Sequence, residues 1–399
     1  MTLPLIVYKS LRQHLLSTVV TALSIALAGG LLMSVWVVKE QSDAAFSQQD
    51  AGFDAVLGAR GAKLQLVLNA IFHLEASPGN LKWEDYLNIK KHRAIATALP
   101  IAVGDNYLGY RLVGTLTNLF DVEYAKGNQY TVGQGRKFEQ GYAEAVIGSF
   151  VAERLKMKVG DTFHPYHGLI FDEKQQHAET YVVTGILKPS NTPADRVIWI
   201  PLEGIQNMKG HDPKSASDVS AVLVKLKTPI AGQMLDLMYN KQGNRLTFAW
   251  PIAQVVASLF DKISWFDKIL ALVAWLVALV ATASVLASIY NSMNERRRDI
   301  AIMRALGARG STIFSAIVFE SAAIAAIGMF GSFAVYAGIM NGAASVIRAQ
   351  TGVVLTPWQF ADVMVWVPAA MIGMAALAGV IPAIKAYRTN VAENLLPVS

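Results

Sequence analysis

Four long apolar stretches, one near the start and three in the last third, constrain this chain more than any other feature. They cover residues 15–38, 269–290, 313–340 and 363–384. Each is long enough to cross about 30 Å of hydrocarbon at a helical rise of about 1.5 Å per residue. The first, second and fourth carry no charge, and the third carries only Glu320. The pattern predicts a membrane protein with four transmembrane α-helices. A large α+β extracytoplasmic domain is inserted between helices 1 and 2. The expected divisions are 1–38 (cytoplasmic segment and helix 1), 39–262 (external domain) and 263–399 (helices 2 to 4).

Composition agrees with two regimes in one chain. It is 53% hydrophobic and 16% charged, with mean hydropathy +0.36, too apolar to be soluble throughout. The net charge of +6 does not indicate nucleic acid. Residues 39–262 hold 24 basic and 23 acidic side chains, so nearly all the excess lies beside the apolar stretches. Lys9 and Arg12 precede the first stretch, and Arg296, Arg297, Arg298, Arg304 and Arg309 fill the short link between the second and third. Lys385 and Arg388 follow the fourth, whereas the third-to-fourth link has only Arg348. The positive-inside rule puts both termini and the arginine-rich link in the cytoplasm. Ala26-Leu27-Ala28 resembles a signal-peptide cleavage site, but the apolar run continues to Val38, so an uncleaved anchor is expected. There are no cysteines, hence no disulfides and no thiolate metal site.

Small residues suggest helix packing. Ala22, Ala26 and Gly30 recur every four positions on helix 1, and Gly338 and Gly342 form a GxxxG late in helix 3. Glu320 lies about 10–12 Å into its helix and is costly there unless paired. Lys385 and Arg388 are the candidate partners.

In the external block, 180–187, 197–200 and 221–227 read as strands and 148–155 as a helix. The domain reads as α+β, with 39–50 and 255–268 continuing the neighbouring helices. His164 and His167, with His177 nearby, form the only cluster resembling metal ligands. Pro165 argues against the helical spacing one metal would need, so loop histidines and no metal site are expected. No nucleophile elbow, zincin motif or catalytic triad is present, and no phosphate-binding loop.

The sharpest local signal runs from Glu295 to Gly307 and on to Ala308. Ile302, Met303 and Leu306 fall on one side of a short helix, and Gly307 is a natural stop. Ser311 or Thr312 can cap the helix that follows. This segment, E-R-R-R-D-I-A-I-M-R-A-L-G-A, resembles the loop of MacB/FtsX-type permeases, the type VII ABC transporters. Asp299, Ala301 and Met303 are its conservative departures. Pro382, Ala383, Ala386, Arg388, Glu393 and Leu395 resemble the same family's terminal pattern, although Asn390-Val391 replaces its usual Asp-Pro. Residues 145–161 look like its external domain.

The resemblance implies a permease subunit that is not itself an enzyme and binds no cofactor. Two chains, as a homodimer, would recruit two copies of a cytoplasmic ABC ATPase that carries the ATP and Mg2+. Only about 14 residues precede helix 1, so that ATPase is expected to be a separate chain. Glu295, Arg296, Arg297, Arg298, Asp299, Ile302, Arg304, Leu306 and Gly307 would form the ATPase-coupling element. The external domain would have porter-like flanks and a sabre-like middle, with a periplasmic accessory protein as a further partner. The expected function is mechanotransmission from ATPase to periplasmic domain, for export or extraction across the bacterial inner membrane. The alternatives are a non-transport scaffold that activates a periplasmic enzyme such as a cell-wall hydrolase, and a membrane-anchored enzyme or metal-handling protein.

Overall fold

The computed structural model describes residues 3–48, 52–210, 216–295, 297–351 and 354–387. The chain divides into two compact units, 1–41 with 263–345 and 356–399, and 42–262 with 346–355. The first unit is helical. It contains α1 (Leu3–Gln13), α9 (Arg297–Ala305), α11 (Val363–Tyr387) and most of the long α2 (Leu15–Gln48), α8 (Ile252–Glu295) and α10 (Gly310–Thr351). Four of these are long and apolar enough to cross a membrane, within Leu15–Ser42, Lys268–Met293, Gly310–Gln350 and Val363–Tyr387.

Each of these helices has one buried stripe. Ala274, Ala278, Ala281, Val285 and Ile289 recur on α8 at helical spacing, and Val363, Val367, Met371 and Ala375 do so on α11. Their other faces expose Leu276, Leu279, Val280 and Leu377, as a helix does when its solvent is lipid. Small residues allow a close approach between α2 and α10. A β-carbon on Gly328 would lie 2.7 Å from the Ala22 carbonyl oxygen, and one on Gly331 3.3 Å from the Ala26 β-carbon. One on Gly30 would lie 2.6 Å from Val335. By contrast, β-carbons on Gly338 and Gly342 would meet nothing within 4 Å.

The second unit is built on one mixed sheet. Its strands, with a separate short hairpin, are β1 (Ala55–Ala59), β2 (Ile95–Tyr107), β3 (Tyr110–Thr115), β4 (Glu123–Ala125), β5 (Asn128–Gln129), β6 (Val132–Gly135) and β7 (Glu144–Ile147). They continue as β8 (Thr162–Phe163), β9 (Tyr166–His167), β10 (Tyr181–Leu187), β11 (Ile198–Pro201), β12 (Ala221–Leu226) and β13 (Leu246–Ala249). The order is β13-β1-β12-β2-β3-β11-β7-β10-β6, with β8 on β10, β9 on β2, and β4 pairing only β5. Flank strands and middle strands therefore share a continuous sheet. The helices of this unit are α3 (Lys63–Ala70), α4 (Trp83–Lys91), α5 (Ser149–Leu155), α6 (Leu202–Gln206) and α7 (Pro229–Asp236).

The apolar runs of these strands have a direct cause: the sheet is covered on both faces. Leu57, Leu112, Ile198, Ile200, Val222 and Val224 enter one core. Their neighbours Val56, Val113, Trp199, Ala221 and Leu223 enter the other. The β2–β3 turn holds Leu108 at φ 49° and Gly109 at φ 85°. Positive φ at both central residues matches the right-handed twist of the strands it joins.

The end of α10 belongs to this second unit, a difference from the 263–399 division. Arg348 donates to Glu153 Oε2 at 3.0 Å and lies over the Phe150 ring at 5.2 Å, and Arg196 donates to the Gln350 carbonyl. Arg154 and Arg196 flank the same ring. These contacts hold 346–355 to the domain, which the apolar pattern of the helix conceals.

Candidate functional site

The arginine-rich link folds into α9, one face inward and one outward. Ile300 and Ala301 are buried, and Met303 packs against the same helical core. Ile302 is 41% and Leu306 83% exposed. The expectation that Ile302, Met303 and Leu306 share one face is therefore corrected. Only Ile302 and Leu306, four residues apart, point outward, because Met303 is drawn into the core with Ile300.

The end of α9 is held by a pair of backbone bonds. The Ala308 N–H donates to the Met303 carbonyl and the Gly307 N–H to that of Arg304, both at 3.0 Å. Gly307 sits at φ 95°, as this left-handed closure requires. Neither Ser311 nor Thr312 caps the next helix, which already begins at Gly310; the first turn bonds back to Arg309 through the Thr312 N–H. Arg304 Nη1 donates to the Tyr387 carbonyl at 3.2 Å. A β-carbon on Gly310 would meet the Tyr387 ring at 2.8 Å. The link thus grips the end of α11 from two sides. Arg296, together with the side chains of Glu295, Arg297, Arg298 and Asp299, lies outside the described residues.

Beneath α9, an apolar cavity is lined by Ile289, Ile300, Met303 and Ile317, with Glu320 at its wall. Glu320 is 8% exposed and accepts a hydrogen bond from the Ser10 hydroxyl. Lys385 meets Tyr290, its amino group hydrogen-bonded to the phenol and 4.2 Å from the ring centroid. Arg388, the other proposed partner of Glu320, lies outside the described residues. The carboxylate acceptor is met by a hydroxyl on α1, a residue that charge counting does not reveal.

In the other unit the three histidines separate. His164 Nδ1 lies 3.1 Å from the Glu179 carbonyl oxygen. His167 and His177 instead converge on Asp105, with ligand-type atoms of all three within 4.8 Å of one another. Asp105 is fully buried on β2, His177 is 8% exposed, and the His167 side chain is half-exposed. Asp105 carries no sequence signal of its own. The strand continues through it, with a register shift between Val103 and Asp105 against β3.

Four apolar spans, an amphipathic helix linking the second span (in α8) to α10, and a large α+β domain after the first span define a multi-pass membrane protein with one large domain outside its spans. The chain belongs to the MacB/FtsX-type family of ABC transporter permeases. Residues 17–235 match the MacB-like periplasmic core domain and 271–391 the FtsX-like permease C-terminal domain. An uncharacterized ABC transporter permease of Methanocaldococcus jannaschii is 27% identical over 293 residues, 68% of this chain and 67% of that protein. The macrolide export ATP-binding/permease protein MacB of Escherichia coli is 23% identical over 267 residues, 62% of this chain. The match spans 39% of the length of that MacB protein. The periplasmic region of MacB from Actinobacillus actinomycetemcomitans superposes with TM-score 0.36 at 13% identity, covering 53% of this chain and 94% of that structure.

Proposed function

We propose that this permease transmits the motion of a separate cytoplasmic ABC ATPase to its extracytoplasmic domain, driving export or extraction of a substrate. The carrying observation is α9. A short helix that exposes Ile302 and Leu306 while burying Ile300 and Ala301 offers a small apolar docking point on a fixed base. A push on the exposed side reaches α11 through the Arg304–Tyr387 bond and α10 through the turn at Gly307. The ATP-binding/permease name of the MacB relative supports an ATPase partner and an export role.

In this reading two permease chains pair and two ATPases dock on their α9 helices, with ATP and Mg2+ held by the ATPases. Both termini face the cytoplasm of a bacterial inner membrane, and an accessory protein meets the domain outside. The test is ATP turnover of the complex reconstituted in lipid. Ile302→Asp and Leu306→Asp should each lower turnover several-fold while insertion and melting temperature stay as in wild type. Turnover equal to wild type in both variants would remove α9 from the coupling path.

A further inference from the structure

The geometry points to a zinc-class metal site made by Asp105, His167 and His177 in the extracytoplasmic domain. It is independent of the coupling role of α9. The site is assembled by pairing rather than by local spacing. The excursion between β8 and β10 returns to β2, where β9 sets His167 opposite Asp105. The His177 N–H is fixed on the Pro165 carbonyl at 2.8 Å, which ties the far end of the excursion to the same place.

The hydrogen bonds of His177 carry the argument. Its Nδ1 lies 2.8 Å from the Lys209 carbonyl oxygen. A carbonyl only accepts, so Nδ1 bears the hydrogen. The Nε2 of the neutral ring then presents a lone pair to Asp105 Oδ1 at 3.2 Å. Two acceptors facing each other at that distance require positive charge between them or on one of them. His167 Nδ1 approaches the same Oδ1 at 3.5 Å. The two separations bracket the edge of about 3.4 Å expected for a tetrahedron with metal–ligand bonds of about 2.1 Å.

The surroundings fit a metal better than a proton alone. A ligating imidazole that donates its other N–H to a backbone carbonyl is the usual way such a ring is oriented. Two imidazoles and one carboxylate suit zinc, cobalt or nickel, and do not suit magnesium or calcium, which take oxygen donors. His167 also borders a cleft of about 320 Å³ shared with Asn80, Gln206 and Asp218. This provides an entry path and leaves room for water or a further ligand at an open position.

The test uses the full chain, free of affinity histidines, in detergent and stripped with chelator. Zinc is titrated against a chromophoric competitor, and cobalt is followed by its visible absorption. Wild type should take one equivalent in the micromolar range or tighter and give the intense bands of a tetrahedral cobalt site. His167→Ala, at the half-exposed position, and Asp105→Asn should weaken binding at least tenfold. Zinc should raise the melting temperature of wild type but not of His167→Ala. His164→Ala, whose ring lies on the Glu179 carbonyl, should bind as wild type does. No zinc uptake by wild type would overturn the assignment, as would unchanged affinity in both His167→Ala and Asp105→Asn.

Discussion

Arg304 reaches across from α9 to the last described residue of α11, donating from Nη1 to the Tyr387 carbonyl at 3.2 Å. A guanidinium at a helix C-terminus satisfies a carbonyl that has no partner within its own helix and complements the helix dipole. Arg304→Ala should lower stability by about 1 kcal/mol, read as a fall in melting temperature in detergent. Arg304→Lys should recover part of it. Ile302→Asp and Leu306→Asp should leave melting unchanged, so the clasp and the docking face separate in one experiment.

The approach of α2 and α10 at Gly328 admits no side chain. A β-carbon 2.7 Å from the Ala22 carbonyl oxygen and equally close to the Ile25 β-carbon must push one helix away. Gly328→Val should therefore destabilise the helical unit by about 2 kcal/mol and reduce the yield of folded protein. Gly338→Val, where nothing lies within 4 Å, should melt as wild type does.

Ser10 and Glu320 make a prediction within the spans. Ser10→Ala removes a donor from a buried carboxylate and should cost about 1–2 kcal/mol. Glu320→Gln keeps the acceptor without the charge and should be tolerated. Melting of the two variants in identical detergent decides the matter. A loss larger in Glu320→Gln than in Ser10→Ala would contradict it.

His73 gives the external domain an acid limit. Burial, then the nearby charges of Arg111 and Arg196, lower its pKa from 6.5 to about 3. The unfolded chain takes up this proton below about 6.5, while the folded ring resists it until about 3. Acidification across that window therefore favours unfolding by up to about 1.4 kcal/mol per pH unit. Above the window the contribution is fully present. Trp199 lies edge-on to the ring at 5.6 Å, so its fluorescence should report the loss. His73→Phe should flatten the dependence between pH 6.5 and 4.

The spans and the strands were legible because burial writes itself into composition. Apolar runs of more than twenty residues with at most one charge have few soluble alternatives, and residues 221–224 are apolar because both faces of their strand are covered. Burial also decides what stayed hidden. Met303 looked equivalent to Ile302 and Leu306 until the helices beside α9 fixed which side is inward. Asp105 carries no sequence signal of its own, and its encounter with His167 and His177 depends on a non-local pairing that spacing cannot express. Ser10 sits in a helix that no apolar pattern marks as touching Glu320.

The place of β1 has a consequence for how the domain is made. It is sandwiched between β12 and β13, paired as Ala55 with Val224 and as Val56 with Ala249. A chain delivered from its N-terminus exposes β1 first and must keep both its edges bare until the last two strands arrive. Throughout that interval the emerging polypeptide carries an adhesive ribbon, vulnerable to mispairing with other nascent chains. Biogenesis, rather than the finished fold, is then the stage at which substitutions in residues 246–249 do the most harm.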